Sequence, residues 1–341
     1  MTTLALVESP VQLLHLIEWC YATGTPDRTS VAVLAPADLT SRGQLRVMLG
    51  YADEEGIRGE WYEPRQNPLA MIRTAAGLRS RVAGAGRLVV GDPFSGLIQQ
   101  LLAAYRGNDL VVVDDGTATT EFTALLAERS PLIRWDAAQG GWLAGLRRPS
   151  ADRACRLLTP SPARPVTVFT VMPVSRVPGL VVHPQRYRWT RGRFGRPEVV
   201  PGTDIIGTSL VESGVVEGEA YLDQLAALAA GTPGRYYAHR REDDRKLAQL
   251  AARTGLRVVR PEVPLEIELR RGPVAERVVG FPSSVGYTLP VVLADIPTQV
   301  QLLPVDPGWL RPRIGNRARR FLADVVANQP VSGARTPAVR R

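Results

Sequence analysis

Leu110-Val111-Val112-Val113-Asp114-Asp115-Gly116 joins an apolar run of strand length to two carboxylates and a glycine. Four consecutive apolar residues suit a strand covered on both faces, the kind that parallel sheets contain. Gly116 permits a sharp turn, which places the two acids at the carboxyl end of the strand. Adjacent carboxylates can divide their work, one accepting a proton and the other orienting a partner. Taken alone, the same dipeptide also reads as a turn of two solvated acids before a helix.

The neighbouring sequence repeats this pattern. Apolar runs at 3–7, 29–34 and 87–90 read as strands, the last ending at Gly91-Asp92-Pro93, and residues 10–21 and 95–105 read as helices. Residues 166–171 read as the last strand of this half. Such alternation predicts an α/β fold with a parallel sheet and helices on both faces. Residues 184–201 are rich in Arg, Gly and Pro and read as a connection. A second series follows, with strands at 204–206, 235–237, 256–259, 275–279 and 299–304 and helices at 219–230 and 242–254. Residues 312–326 read as a basic helix. The expectation is two Rossmann-like, doubly wound domains facing across a cleft, the GT-B plan: 1–185 on the acceptor side, a linker at 186–202, a nucleotide-binding domain at 203–328 and a flexible tail at 329–341. A length of 341 residues is enough for two cores.

Composition narrows the function classes. The net charge is +9, carried almost wholly by arginine, with Lys246 the only lysine. Such a surplus favours anionic partners. The arginines are scattered apart from clusters at 186–196 and 311–320, and no nucleic-acid-binding signature accompanies them, so nucleic acid is not expected as a partner. The basic helix carrying Arg311, Arg313, Arg317, Arg319 and Arg320 would also suit a peripheral contact with an anionic membrane, or simply a solvated face. No apolar run reaches membrane-span length, and Glu8 breaks the first apolar run, which reads as a strand and not a signal peptide. Cys20 and Cys155 have neither disulfide-framework nor metal-site spacing, which points to a reducing, cytoplasmic setting and no metal.

Three further groups follow strands. Tyr236-Tyr237-Ala238-His239-Arg240-Arg241-Glu242 puts an imidazole and two guanidinium groups before a helix, which suits a phosphate. Protonated, His239 could donate to a leaving phosphate oxygen; a surface histidine is the plainer alternative. Ser283-Ser284 after Gly280-Phe281-Pro282 offers two hydroxyls at a helix start, for a phosphate or for simple capping. Pro264-Leu265-Glu266 reads as a loop acid, solvated or holding ribose hydroxyls. His15 and His183 read as structural, and Glu242-Asp243-Asp244 as acids serving a helix dipole. Dinucleotide, Walker A and nucleophile-elbow motifs are absent.

In this order, Asp114-Asp115-Gly116, His239-Arg240 and Ser283-Ser284 resemble the motif set of bacterial sialyltransferases and polysialyltransferases of the GT-B type. Glu8-Ser9-Pro10-Val11-Gln12-Leu13 is similar to that family's opening turn, and Ile206-Gly207-Thr208-Ser209-Leu210-Val211-Glu212 to the start of its nucleotide domain. The resemblance covers about residues 1–305 and is nearest to the polysialyltransferase-like branch. One residue departs from it: the family's His-Pro is His239-Arg240 here, which bears on loop rigidity and on the donor sugar. The literal His183-Pro184 lies outside the strand-to-helix context.

The resemblance implies an inverting, metal-independent and cofactor-free glycosyltransferase that moves sialic acid or another nonulosonic acid from its CMP ester to a glycan or glycolipid hydroxyl. It makes Asp114 the base, with Asp115 the alternative, and His239 the donor to the departing phosphate. Ser283 and Ser284 would hold that phosphate and Glu266 the ribose, with Gly207 and Arg240 completing the donor site. A GT-B transferase using another activated sugar, such as a CMP-Kdo or CMP-Kdn, or a non-catalytic nucleotide-sugar-binding protein would need the same contacts.

Overall fold

The computed structural model describes residues 2–134, 142–311, 314 and 316–327. It divides into two compact units, Met1–Trp189 and Thr190–Arg341. The first contains β1 (Thr3–Val7), α1 (Pro10–Thr23), β2 (Thr29–Leu34), α2 (Leu39–Glu54), β3 (Arg58–Tyr62), α3 (Pro68–Gly84), β4 (Arg87–Val90) and α4 (Gly96–Leu102). It continues with β5 (Asp109–Val113), α5 (Thr117–Ala127), α6 (Trp142–Leu158), β6 (Val166–Thr170) and β7 (Leu180–Pro184). The segment α7 (Arg188–Phe194) spans the division. The second unit continues with β8 (Val199–Ile206), α8 (Gly218–Ala229), β9 (Arg235–Tyr237), α9 (Asp244–Thr254) and β10 (Arg257–Val259). It closes with α10 (Leu265–Arg271), β11 (Val274–Gly280), α11 (Val285–Val292), β12 (Gln299–Leu302) and α12 (Asn316–Ala327).

Among the described residues the strands form two sheets, ordered β3-β2-β1-β4-β5-β6-β7 and β10-β9-β8-β11-β12. Every pairing is parallel. In each sheet the order reverses beside the first strand, between β1 and β4 and between β8 and β11. This is the doubly wound pattern, whose ligand crevice opens at the strands' carboxyl ends at the reversal. All five residues of β1 are buried, as a central strand covered on both faces requires. Leu6, Val90 and Val112 pack with Leu101 and Phe122 in the core of the first unit, and Ile205 and Tyr236 with Leu222, Leu250 and Phe281 in that of the second.

Local signals set the helix starts. Ser9 caps α1 by accepting from the Gln12 N–H, with Pro10 in the first turn, and Gly24 ends the helix at φ 64°. The strands at 3–7, 29–34 and 87–90 lie where the apolar runs place them. Residues 35–86, left without elements above, hold α2, β3 and α3.

Three local expectations change. Residues 166–171 are not the last strand of the first half, because β7 adds a parallel edge with Val181 and Val182 exposed. The edge position tolerates Pro184, and His183 sits in this strand and not in a connection. The segment read as a connection, 184–201, contains all of α7 and the start of β8. Glu266 lies in the first turn of α10 and is buried, not on a loop. The expected tail lies outside the described residues, as does Arg313. Cys20 and Cys155 are buried free thiols, and burial pushes the Cys20 thiol up to about 12. Among the described residues, no helix is long and apolar enough to cross a membrane.

Candidate functional site

In the first unit the carboxyl ends of β1, β4 and β5 deliver Glu8, Asp92 and the Asp114-Asp115 pair. The two adjacent acids have different surroundings. Asp114 is fully buried. Its Oδ1 accepts from the Gly116 N–H at 2.9 Å and the Thr119 hydroxyl at 2.8 Å. Its Oδ2 accepts from the Thr170 hydroxyl at 2.6 Å and the Val171 N–H at 3.2 Å. Gly116, at φ 64° and ψ −133°, makes the turn that brings its N–H back to this carboxylate. Behind it, His15 Nδ1 lies 2.7 Å from the Asp114 carbonyl, and Nε2 lies 2.8 Å from the Tyr187 hydroxyl. A carbonyl cannot donate, so Nδ1 carries a proton. His15 is structural, as expected, and what it supports is the acidic pair.

Asp115 keeps 16% of its side chain exposed and pairs with Arg134 at 2.8 Å. Arg134 also lies 3.5 Å from Asp92 and over the Phe94 ring. Glu8 is bonded by Arg65 at 2.9 Å and by the Ser95 hydroxyl at 3.0 Å. Burial pushes the Glu8 carboxyl up, with Arg65 opposing. Of these, sequence reasoning assigned no role to Glu8, Arg65, Asp92 or Arg134. The legible signal was an acid immediately or almost immediately after three strands of one parallel sheet.

In the second unit Gly207 follows β8, His239 follows β9 and Ser283-Ser284 follows β11. Since β9 and β11 flank β8, and neighbouring strands lie about 4.8 Å apart, the His239 and serine loops start about 10 Å from one another. The His239 N–H donates to Glu242 Oε2 at 2.6 Å, and the His239 carbonyl accepts from the Glu242 N–H at 2.9 Å. Its Nδ1 accepts from the Arg241 N–H at 3.2 Å, which leaves the proton of the neutral ring on Nε2. Burial, then Arg240, Arg241 and Lys246, push its pKa down to about 3, so the ligand-free imidazole is neutral at pH 7.

Ser284 enters α11 with helical torsions, and its side chain makes no capping bond. Simple capping therefore does not explain it. Among the described residues neither the Ser283 nor the Ser284 hydroxyl has a hydrogen-bond partner, and both residues are part-exposed. Glu266 is nearly enclosed and accepts from the Thr288 hydroxyl at 2.7 Å, one helical turn beyond Ser284. That bond ties the Glu266 helix to the serine helix. Gly207 has a packing reason to be glycine: a Cβ there would overlap the Glu242 carboxylate and lie 2.8 Å from the Tyr236 hydroxyl. Glu242 is also more than a dipole partner. It is buried, and it accepts from Tyr236, His239 and Lys246.

No family model and no curated protein matches the chain. Among solved structures it is similar to the α/β-galactoside α-2,3-sialyltransferase of the luminous marine bacterium Photobacterium phosphoreum. The identity is 11% and the TM-score 0.52, over 96% of this chain and 97% of that one. MurG of Acinetobacter baumannii follows at 10% identity and TM-score 0.42, over 96% and 84% of the chains. The heptosyltransferase WaaC of E. coli, solved with ADP-2-deoxy-2-fluoro heptose, stands at 13% and 0.42, over 90% of each chain. With its two doubly wound parallel sheets and a likeness along nearly its whole length, the chain has the GT-B fold, two Rossmann-like domains in one polypeptide.

Proposed function

We propose that the protein is an inverting GT-B glycosyltransferase that moves a nonulosonic acid from its CMP ester to a hydroxyl of a glycan or glycolipid. The observation that carries this reading is the carboxyl end of the second sheet, where a histidine with its proton on Nε2 and two uncommitted serine hydroxyls follow the strands on either side of the central β8. Donor hydroxyls and a cationic loop suit a phosphate, and a departing phosphate is where negative charge grows as the glycosidic bond breaks. In this mechanism Asp115 takes the proton of the acceptor hydroxyl, and the acceptor oxygen attacks the anomeric carbon. The bond to the phosphate oxygen breaks with its electron pair, and CMP leaves. Ser283 and Ser284 hold the phosphate while His239 donates to it, and Arg240 adds positive charge. Asp114 shapes the turn that presents Asp115. Glu266, bonded by the Thr288 hydroxyl, supports the donor site through α11 and accepts from the ribose.

The depressed pKa of His239 gives this reading a proton signature. A dianionic phosphate opposes the surrounding cations and raises the imidazole pKa, so CMP binding draws a proton onto His239. Isothermal titration with CMP near pH 5.5, in two buffers of different ionisation enthalpy, measures this, because a rise of about 1–3 from about 3 brings the imidazole pKa into that range only. Proton uptake is expected to be greater in the wild type than in His239→Ala. Ser283→Ala is expected to weaken CMP by about 10-fold, the worth of one hydrogen bond to a charged group. UDP is expected to bind more weakly. No CMP binding to the wild type, or equal proton uptake in both proteins, would sink the donor assignment.

A further inference from the structure

The loop that carries His239 lacks the proline that would stiffen it, yet its backbone is held at four points. The Tyr237 carbonyl accepts from the Gly207 N–H at 2.8 Å, and the Ala238 N–H donates to the Val259 carbonyl at 2.8 Å. The other two ties, the His239 N–H and carbonyl, both end on Glu242. Glu242 is itself fixed. Its Oε1 accepts from the Tyr236 hydroxyl at 2.6 Å and lies 2.7 Å from the Lys246 ammonium. Lys246 is the chain's only lysine; it is buried and also pairs with Glu212 at 2.7 Å. The Tyr236 hydroxyl is bonded in turn to that of Tyr221 at 2.8 Å.

A buried ion pair costs desolvation and is weak evidence for stability, but it fixes geometry well where hydrogen bonds satisfy its remaining atoms. A proline after His239 would restrict both its own φ and the conformation of the histidine. Here the carboxylate performs that restriction from the side, by gripping the histidine's own N–H.

We propose that Glu242, braced by Lys246, is a positioning residue that holds the His239 backbone and replaces the stiffening a proline at position 240 would give. This rests on the reading of His239 as the group at the leaving phosphate. It assigns Glu242 no contact with substrate.

The test is a double-mutant cycle between Glu242→Gln and Arg240→Pro in the full chain, with three readouts: exchange of the His239 amide, CMP affinity, and turnover of a CMP-nonulosonate. Glu242→Gln is expected to speed His239 amide exchange by about 10-fold or more. It should also cut kcat by about 10- to 100-fold, the scale of an ångström-sized misplacement, while CMP affinity changes by no more than about 3-fold. In the Arg240→Pro background the same substitution should cost only about 3-fold in kcat, because the proline restores the torsional restraint, while the amide, to which proline offers no acceptor, exchanges faster in both backgrounds. Equal losses in both backgrounds would overturn the proposal, as would an unchanged amide in Glu242→Gln. If Glu242→Gln does not fold, adding Lys246→Met removes the buried ammonium that has lost one of its two carboxylates, and the cycle is run on that pair. Amide exchange needs no nucleotide. A wild type that binds no CMP would therefore end the transferase reading, while Glu242's hold on His239 is still decided by exchange.

Discussion

Asp115→Asn is expected to lower kcat by about 10²- to 10⁴-fold while leaving CMP affinity and the unfolding midpoint nearly unchanged. The argument is one of access. A base must reach the acceptor hydroxyl, and of the two adjacent acids Asp115 is the one whose side chain is partly exposed. Asparagine keeps its size and one carbonyl acceptor for Arg134 but cannot take a proton. Because the base acts on the acceptor and not on the donor, nucleotide binding should not move. Steady-state kinetics beside titration with CMP read both quantities. A loss of CMP affinity matching the loss of kcat, or full activity, would remove Asp115 from the role.

Asp114→Ala is expected to act on stability, by about 3 kcal/mol or more. The substitution strips one buried carboxylate from four donors: two backbone N–H groups and two hydroxyls. Each donor left without a partner costs about 1–3 kcal/mol, and the hydroxyls can recover part of this by turning. The shift is read from urea unfolding at constant m-value. Asp115→Ala, which takes one carboxylate from a part-exposed arginine, should change stability by less than about 1 kcal/mol. Equal destabilisation by the two substitutions would contradict the division of roles between the acids. A turnover assay alone would not separate them, since a displaced Asp114 also moves the turn that carries Asp115.

Both expectations depend on distinctions that the dipeptide itself does not contain. The carboxylate of Asp114 is enclosed because Thr170, 56 positions further along, ends the adjacent strand and points its hydroxyl at it. Asp115 is tied to Arg134, 19 positions away. For the serines, the sequence allowed capping or phosphate binding, and the structure shows that the Ser284 side chain makes no capping bond. Glu266 was misplaced because proline and acidic residues read as a loop, whereas Pro264 stands at the cap of α10 and the acid occupies its first turn. Glu242 was read through its place at a helix start, and nothing local shows that the Tyr236 hydroxyl and the Lys246 ammonium converge on it.

The sequence by itself determined the class of fold, the strands of both sheets' centres, and the positions of the acidic pair, His239 and the serine pair at strand ends. Those are local properties: an apolar run of four or five residues that stops at a turn identifies its own strand. It could not show that β7 extends the first sheet, since an edge strand with exposed valines has no buried face to mark it. Only the tertiary structure decided which aspartate is enclosed, which protons the two histidines hold, and how a loop without proline is made rigid. Each of these is set by hydrogen bonds and burial contributed by groups from other strands and helices, and desolvation acts on a side chain only after the chain has folded around it.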